Sequence, residues 1–115
     1  MTLAIVSNLV HETTSGTGTG NLDLSNVNGK QPFNTAFGNG ATTNVFFYFI
    51  SHRDAAEYEF GTGHMSDVDT LVRDTVIGGS NGSSAVTFSA GTKDVTSAIP
   101  ASLQMARPAL SMILG

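Results

Sequence analysis

The sequence has no cysteine and no tryptophan, and only 12% of its 115 residues are charged. The absence of cysteine excludes disulfides, thiolate metal sites and a thiol nucleophile. Five lysines and arginines stand against nine acidic residues, which gives a net charge of -4. This balance argues against a nucleic-acid partner, because a phosphate backbone is held by clustered cations. Stability must therefore come from packing or from assembly with other chains.

Long hydrophobic runs are also missing. No stretch of about 18 apolar residues is uninterrupted, and residues 1–10 lack the positive region of a signal peptide. We therefore expect a soluble chain that is made in the cytoplasm and has no membrane partner. The apolar residues 100–115 contain Arg107 and are interrupted by Pro108, so burial against protein is expected for them rather than a membrane span.

Turn-forming residues recur about every ten positions, and thirteen of the residues are glycine. This pattern predicts an all-β fold, a single small antiparallel β-sandwich or barrel, over residues 1–99, followed by a C-terminal apolar arm over 100–115. The predicted strands cover residues 3–13, 22–24, 44–51, 56–62 and 69–77, with two short strands around 90–91.

A single helical turn is predicted near residues 32–38. Pro32 suits the start of a helix, Phe33 and Phe37 would share one face, and Gly38 would end the turn.

The two central strands carry different patterns. Residues 44–51 are almost continuously apolar, which predicts burial on both faces, with Phe47 and Phe49 in the core. Residues 56–62 alternate aromatic and acidic side chains, which predicts a strand with Glu57 and Glu59 on its solvent face. Glutamates two positions apart could also form a glycosidase pair, but solvent exposure explains them more simply.

No motif in the sequence predicts an active site. The glycines of residues 16–20 match no phosphate-binding spacing, so a flexible turn is the simpler interpretation. His11, His52 and His64 stand in no metal-binding spacing and are interpreted as surface or turn histidines. There is no GxSxG elbow to expose a serine nucleophile. We therefore predict no catalytic residues, no metal site and no cofactor.

An acidic pair, Asp67 and Asp69, could donate oxygens to a calcium ion, but the closing glutamate of an EF-hand loop is absent. A solvated turn is the prediction here.

One segment carries a resemblance. Residues 71–101 contain a strand with Arg73, Asp74, Thr75 and Val76, a turn of Ser80, Asn81 and Gly82, and an apolar strand from Val86 to Lys93 that runs on to Pro100 and Ala101. This segment resembles a small β module found in fibre, spike and other surface proteins of tailed phages and of related gene transfer agents. The similarity extends more faintly over residues 10–101, and Ile99 stands where the module usually has an aromatic residue.

The resemblance implies a non-enzymatic structural protein of a phage virion. Without receptor-binding domains, such a module is expected to act as a capsid decoration (cement) protein that binds the outer head surface and stabilises it. A tail, baseplate or head-spike component of the same virion is the alternative. The expected partners are the major capsid protein or other virion structural proteins.

The C-terminal arm supplies a candidate interface. Its six large apolar side chains are Leu103, Met105, Leu110, Met112, Ile113 and Leu114. A small β domain has limited core space for them, so we expect a homo-oligomer in which the arm lies against a neighbour. We expect a trimer, because the resemblance implies it and because phage heads have local three-fold axes.

Two other classes of function stay open. A carbohydrate-binding module would need exposed aromatic side chains on one sheet face, for which Tyr48 and Tyr58 are the candidates. A small enzyme would need titratable groups that converge in space.

Overall fold

The computed structural model describes residues 6–40 and 44–99. Within these residues the chain is almost entirely β, with seven strands and one short helix. The elements are β1 (His11–Thr14), β2 (Leu22–Asp23), β3 (Ser25–Asn26), α1 (Phe33–Phe37), β4 (Phe46–His52), β5 (Tyr58–Met65), β6 (Thr70–Gly79) and β7 (Lys93–Thr96). Residues 100–115, with all six predicted interface side chains, lie outside the described residues.

The strands form one sheet in the order β2-β6-β5-β4-β7-β1-β3, and every neighbouring pair is antiparallel. The strands β2 and β3 are separated in the chain by Leu24 alone, yet they pair with opposite edges of the sheet. The extended segment 22–26 therefore joins the two edges, and the sheet becomes a nearly closed barrel. The predicted all-β class is confirmed.

The predicted helical turn is also confirmed. Pro32 precedes α1 with φ -65°, and Gly38 ends it with φ 73°, a left-handed conformation that favours glycine. Phe33 and Phe37 are buried. The Glu12 carboxylate, on the inner face of β1, accepts the Phe33 N–H at 2.8 Å, and burial raises the pKa of Glu12.

Of the predicted strand over residues 3–13, residues 3–5 lie outside the described residues, and residues 6–10 are not part of a regular strand. Regular pairing starts at His11, after an isolated bridge between Val10 and Gln31. Leu9 has φ 59°, and this left-handed conformation interrupts an extended chain. Of the two strands predicted around residues 90–91, β7 is present, and the first is reduced to a bridge between Phe88 and Gly18.

The core lies on one face of β4. Phe46, Tyr48 and Ile50 are at most 1% exposed, whereas Phe47 and Phe49 point to the outside of the barrel and are partly buried. The prediction that Phe47 and Phe49 are core residues is wrong. Both faces of this strand are apolar, but closure of the barrel places only one of them inside.

The predicted orientation of β5 is wrong as well. Glu59 is 1% exposed, whereas Tyr58 is 52% exposed. The Glu59 carboxylate points inward because it pairs there with the guanidinium of Arg73 on β6.

Candidate functional site

A buried ion pair lies inside the barrel between β5 and β6. Arg73 Nη1 lies 2.9 Å from Glu59 Oε1, and the two side chains are 2% and 0% exposed, respectively. Burying a charge is costly unless the charge is both paired and hydrogen-bonded. Further polar partners are therefore needed on both sides of this pair.

Two glycines let β5 and β6 approach closely beside the pair. Gly61 and Gly63 follow Glu59 on the inner face of β5, because side chains alternate between the two faces of a strand. A Cβ atom at Gly61 would overlap the carbonyl oxygen of Thr75, and one at Gly63 would overlap that of Val72. The two strands thus approach closely where their pairing register shifts.

Glu59 is satisfied by two neutral donors in addition to the arginine. Its Oε2 accepts the Tyr48 hydroxyl at 2.6 Å, and its Oε1 accepts the Val86 N–H at 2.8 Å. Burial, and next the hydrogen bond to Glu59, hold the pKa of Tyr48 above its usual range. The carboxylate therefore joins β4, β5 and the chain that follows β6.

Arg73 is satisfied by backbone carbonyls. Its Nη2 donates to Gly18 O at 2.9 Å and to Gly20 O at 3.0 Å, and its Nη1 donates to Val86 O at 3.3 Å. Its Cζ lies 5.4 Å from the centroid of the Phe88 ring, a cation–π distance. The predicted glycine loop thus turns carbonyl oxygens toward a cation, whereas a phosphate-binding loop presents N–H groups.

We call this set of groups the barrel network: the side chains of Tyr48, Glu59 and Arg73 with the backbone of Gly18, Gly20 and Val86. A carboxylate, a phenol and a guanidinium together could in principle transfer protons or stabilise an anion. Here they contact one another and the backbone, and within residues 6–40 and 44–99 no buried side-chain nitrogen or oxygen lacks a partner. The geometry is that of a structural tie between segments.

His52 caps the turn between β4 and β5. Its Nδ1 accepts the backbone N–H groups of Asp54 and Ala55 at 3.0 and 3.1 Å, so the ring proton belongs on Nε2, which lies 2.9 Å from Ala90 O. The side chain is buried, and a Cβ atom at Gly91, whose φ is 121°, would lie 2.7 Å from its Cε1. The interpretation as a turn histidine fits this placement.

The other two histidines form separate surface pairs. His11 Nε2 lies 2.9 Å from Asp94 Oδ1, and His64 Nδ1 lies 2.7 Å from Asp74 Oδ2. In the part of the chain that the structure describes, no three histidine or acidic side chains are grouped closely enough to hold a metal ion. The acidic pair lies in an exposed turn, where Asp67 Oδ1 accepts the N–H groups of Asp69 and Thr70.

Lys93 is fully buried on the inner face of β7, and desolvation lowers its pKa. A lysine with a lowered pKa can act as a nucleophile if a substrate reaches it. Its Nζ donates to Ser89 O at 2.8 Å, and the residue has no exposed surface through which a substrate could approach.

Asp94 also binds Arg53 through two hydrogen bonds of 3.0 and 2.9 Å. These bonds, together with His11, lower the pKa of Asp94 from 3.8 to about 2. The folded state thus favours the charged carboxylate, so its stabilisation is present above about pH 4 and is lost as the pH falls from 4 to 2.

We expect Asp94→Asn to lower the free energy of unfolding by about 1 kcal/mol at pH 7, a figure reduced because Arg53 is more than half exposed to screening solvent. The difference from the wild type should shrink toward zero near pH 2. Urea melts over this pH range measure it, with the exposed Asp54→Asn as a matched control that changes stability less. A difference that stays constant from pH 7 to pH 2 would contradict the assigned pairing.

An open groove of about 470 Å³ lies beside α1. It is lined by Leu24, Ser25, Asn26, Pro32, Asn34, Thr35, Val68 and Asp69. The lining offers neutral amides and hydroxyls with one carboxylate, and it includes no histidine, lysine or arginine. The hydroxyls of Ser25 and Thr35 thus have no histidine or lysine in this lining to activate them as nucleophiles.

Of the two tyrosines considered for a carbohydrate platform, only one is accessible. Tyr48 is fully buried in the barrel network, and Tyr58 is 52% exposed. A flat stacking platform of two tyrosines on one face is therefore not formed, because the two side chains point to opposite sides of the sheet.

Across the described ranges, no helix has the length and apolar character needed to cross a lipid bilayer. Comparisons with protein-family models, with curated protein sequences and with solved structures give no match to this chain.

Proposed function

We propose that this chain is a non-enzymatic structural protein of a tailed-phage virion, a capsid decoration protein that binds the outer head surface and stabilises it. The observation that carries the proposal is the barrel network. Its two charged side chains, those of Glu59 and Arg73, are buried and connect segments of the fold. Side chains that are bound to one another and to the backbone in this way favour a rigid structural role over a catalytic one.

The residues that carry the phage resemblance lie around this network. Arg73 is its cation, and Phe88 packs against the guanidinium. Between them, Asn81 Nδ2 donates to Ala85 O at 3.0 Å, and Gly82 has φ 63°, so the turn depends on these two residues. The resembling segment thus has a physical reason for its pattern of residues, which supports its interpretation as a structural module.

The proposed partners are other copies of the chain, as a trimer, and the major capsid protein or another structural protein of the virion. A protein that clamps a shell needs a stiff body and surfaces that fit its neighbours, since affinity rises when little ordering is required on binding. The nearly closed barrel limits the exposed sheet edges that lead to uncontrolled pairing.

Electron microscopy of particles with and without the protein tests the proposal. We expect added density over the whole head surface, and its return when the purified protein is mixed with particles that lack it. Density restricted to the tail or to one vertex would overturn decoration in favour of a tail, baseplate or spike role. A particle without any added density would overturn the structural role itself.

A further inference from the structure

An aromatic surface covers the outside of β4 and β5. Phe47 and Phe49 project outward from β4, and Phe60 projects outward from β5, opposite Phe49. The rings of Phe49 and Phe60 stack with their centroids 5.2 Å apart and an interplanar angle of 18°. We call these three side chains the outer aromatic face.

The face continues onto β6 because a glycine lies under one ring. A Cβ atom at Gly78 would lie 2.7 Å from Phe60 Cζ, so the phenyl ring rests directly on the backbone of β6. All three phenylalanines are only partly buried, and the neighbours across the strands are Thr62, opposite Phe47, and Thr96, opposite Phe49. Contiguous apolar surface with a polar rim is typical of a site where protein binds.

Charged groups lie at the margins of the face. Asp94, with its partners Arg53 and His11, is on the neighbouring strand β7, and the pair of His64 and Asp74 lies toward the other end of β5 and β6. These polar groups are already paired within the fold. An occupant of the face therefore needs apolar side chains and little charge.

The segment over residues 100–115 has this composition. It contains six large apolar side chains and a single charged one, Arg107. Sixteen residues can span up to about 50 Å when extended, which is ample to cross a face made by two or three strands. The chain that leads to this segment lies beside the face, since Ser97 Oγ donates to Phe47 O at 2.7 Å.

On the same copy, the chain after β7 runs away from Phe49 and Phe60. The antiparallel pairing sets Thr96 opposite Phe49, so residues 97–99 run toward the start of β4 and leave Phe49 and Phe60 behind. Pro100 restricts Ile99 to an extended conformation, so the chain does not reverse at that residue. A second copy can receive the segment without a reversal.

We infer that the outer aromatic face of one copy binds the C-terminal segment 100–115 of a second copy. If each copy binds the segment of the next in this way, the exchange closes a symmetric ring such as the proposed trimer. The inference rests on the self-association in the proposed function, but it does not depend on the phage particle. It can be tested on the purified full chain in solution.

Disulfide trapping gives a direct test because the chain has no cysteine of its own. One version carries Thr62→Cys at the rim of the face, and a second version, with a tag that changes its mass, carries Leu110→Cys in the segment. We expect mild oxidation of the mixture to give a covalent dimer of the two versions. Asn28→Cys, in an exposed turn, replaces Thr62→Cys in the matched control and should give at least tenfold less of that dimer.

A single chain that carries both Thr62→Cys and Leu110→Cys distinguishes binding of the segment to its own copy from binding to a second copy. Cross-linking within one chain, or no cross-link with either pair, would overturn the inference. Truncation after Ala101 supplies a second measurement, since light scattering should then give the mass of one shortened copy, below the 11.9 kDa of the full chain, in place of a multiple of it. A truncated chain that stays oligomeric would also overturn the inference.

Face substitution distinguishes this inference from the proposed function. We expect Phe49→Lys to dissociate the oligomer, and Asn28→Lys, with the same added charge on an exposed turn, to leave it intact. A full chain that is monomeric yet decorates heads would overturn the inference and leave the proposed function standing. An oligomer that binds no particle would overturn the proposed function and leave the inference standing.

Discussion

Arg73→Met is expected to lower the free energy of unfolding by about 3–5 kcal/mol, which is much of the stability of a domain this small. The substitution leaves the Glu59 carboxylate buried without a compensating charge. It also removes the donors that hold Gly18 O and Gly20 O, so the glycine loop loses its attachment to the barrel. Urea melts at pH 7 measure the change.

Arg53→Ala is the matched control, because it removes an arginine from an ion pair at the surface. The Arg53 side chain is 53% exposed, and Asp94 remains in contact with water after the change. We expect the loss to be a small fraction of that caused by Arg73→Met. Equal losses from the two substitutions would mean that the interior pair is not desolvated as the structure has it.

Phe46→Ala is expected to cost about 3–5 kcal/mol through the cavity it leaves. The Phe46 ring is fully buried, and its centroid lies 4.9 Å from that of Phe33 and 4.6 Å from that of Phe37. The change thus removes the contact that joins α1 to β4. Denaturant melts in dilute solution measure the loss.

Phe47→Ala, one residue along the same strand, is the control for the register of β4. Its side chain is on the outer face and only partly buried, so less apolar surface is lost and no closed cavity forms. We expect less than half the loss found for Phe46→Ala. A larger loss at Phe47 than at Phe46 would show that the strand presents its other face to the core.

Local signals were sufficient to predict the helix and the position of the central strand. Pro32 and Gly38 fix the two ends of α1 through their backbone preferences, which act without help from the rest of the chain. The apolar run of residues 44–51 indicated β4 in the same way. Which face of β4 is inside could not be predicted, because both faces are apolar and closure of the barrel makes the choice.

The orientation of β5 could not be predicted from alternation alone. The rule that acidic side chains face water failed at Glu59, because Arg73 on the next strand supplies a buried partner. A signal was present in the sequence. Glu59, Gly61 and Gly63 share one face and offer it no apolar side chain, so that face needed a long side chain from another strand to fill it.

Closure of the barrel could not be predicted from the sequence pattern either. Residues 22–24 were predicted as one short strand, whereas the segment 22–26 pairs with β6 through its first part and with β1 through its second. Pairing partners far apart in the chain are set by the whole fold, and no local preference of Leu22 or Ser25 encodes them.

A double-mutant cycle on Glu59 and Arg73 tests the central claim most directly, namely that these buried charges form one structural unit. The measured quantity is the free energy of unfolding of the wild type, of Glu59→Gln, of Arg73→Met and of the double variant. We predict that Glu59→Gln destabilises the wild type but stabilises the Arg73→Met chain, because it then removes an unpaired buried charge, with a coupling of about 1–3 kcal/mol. Additive losses, with a coupling near zero, would contradict the claim.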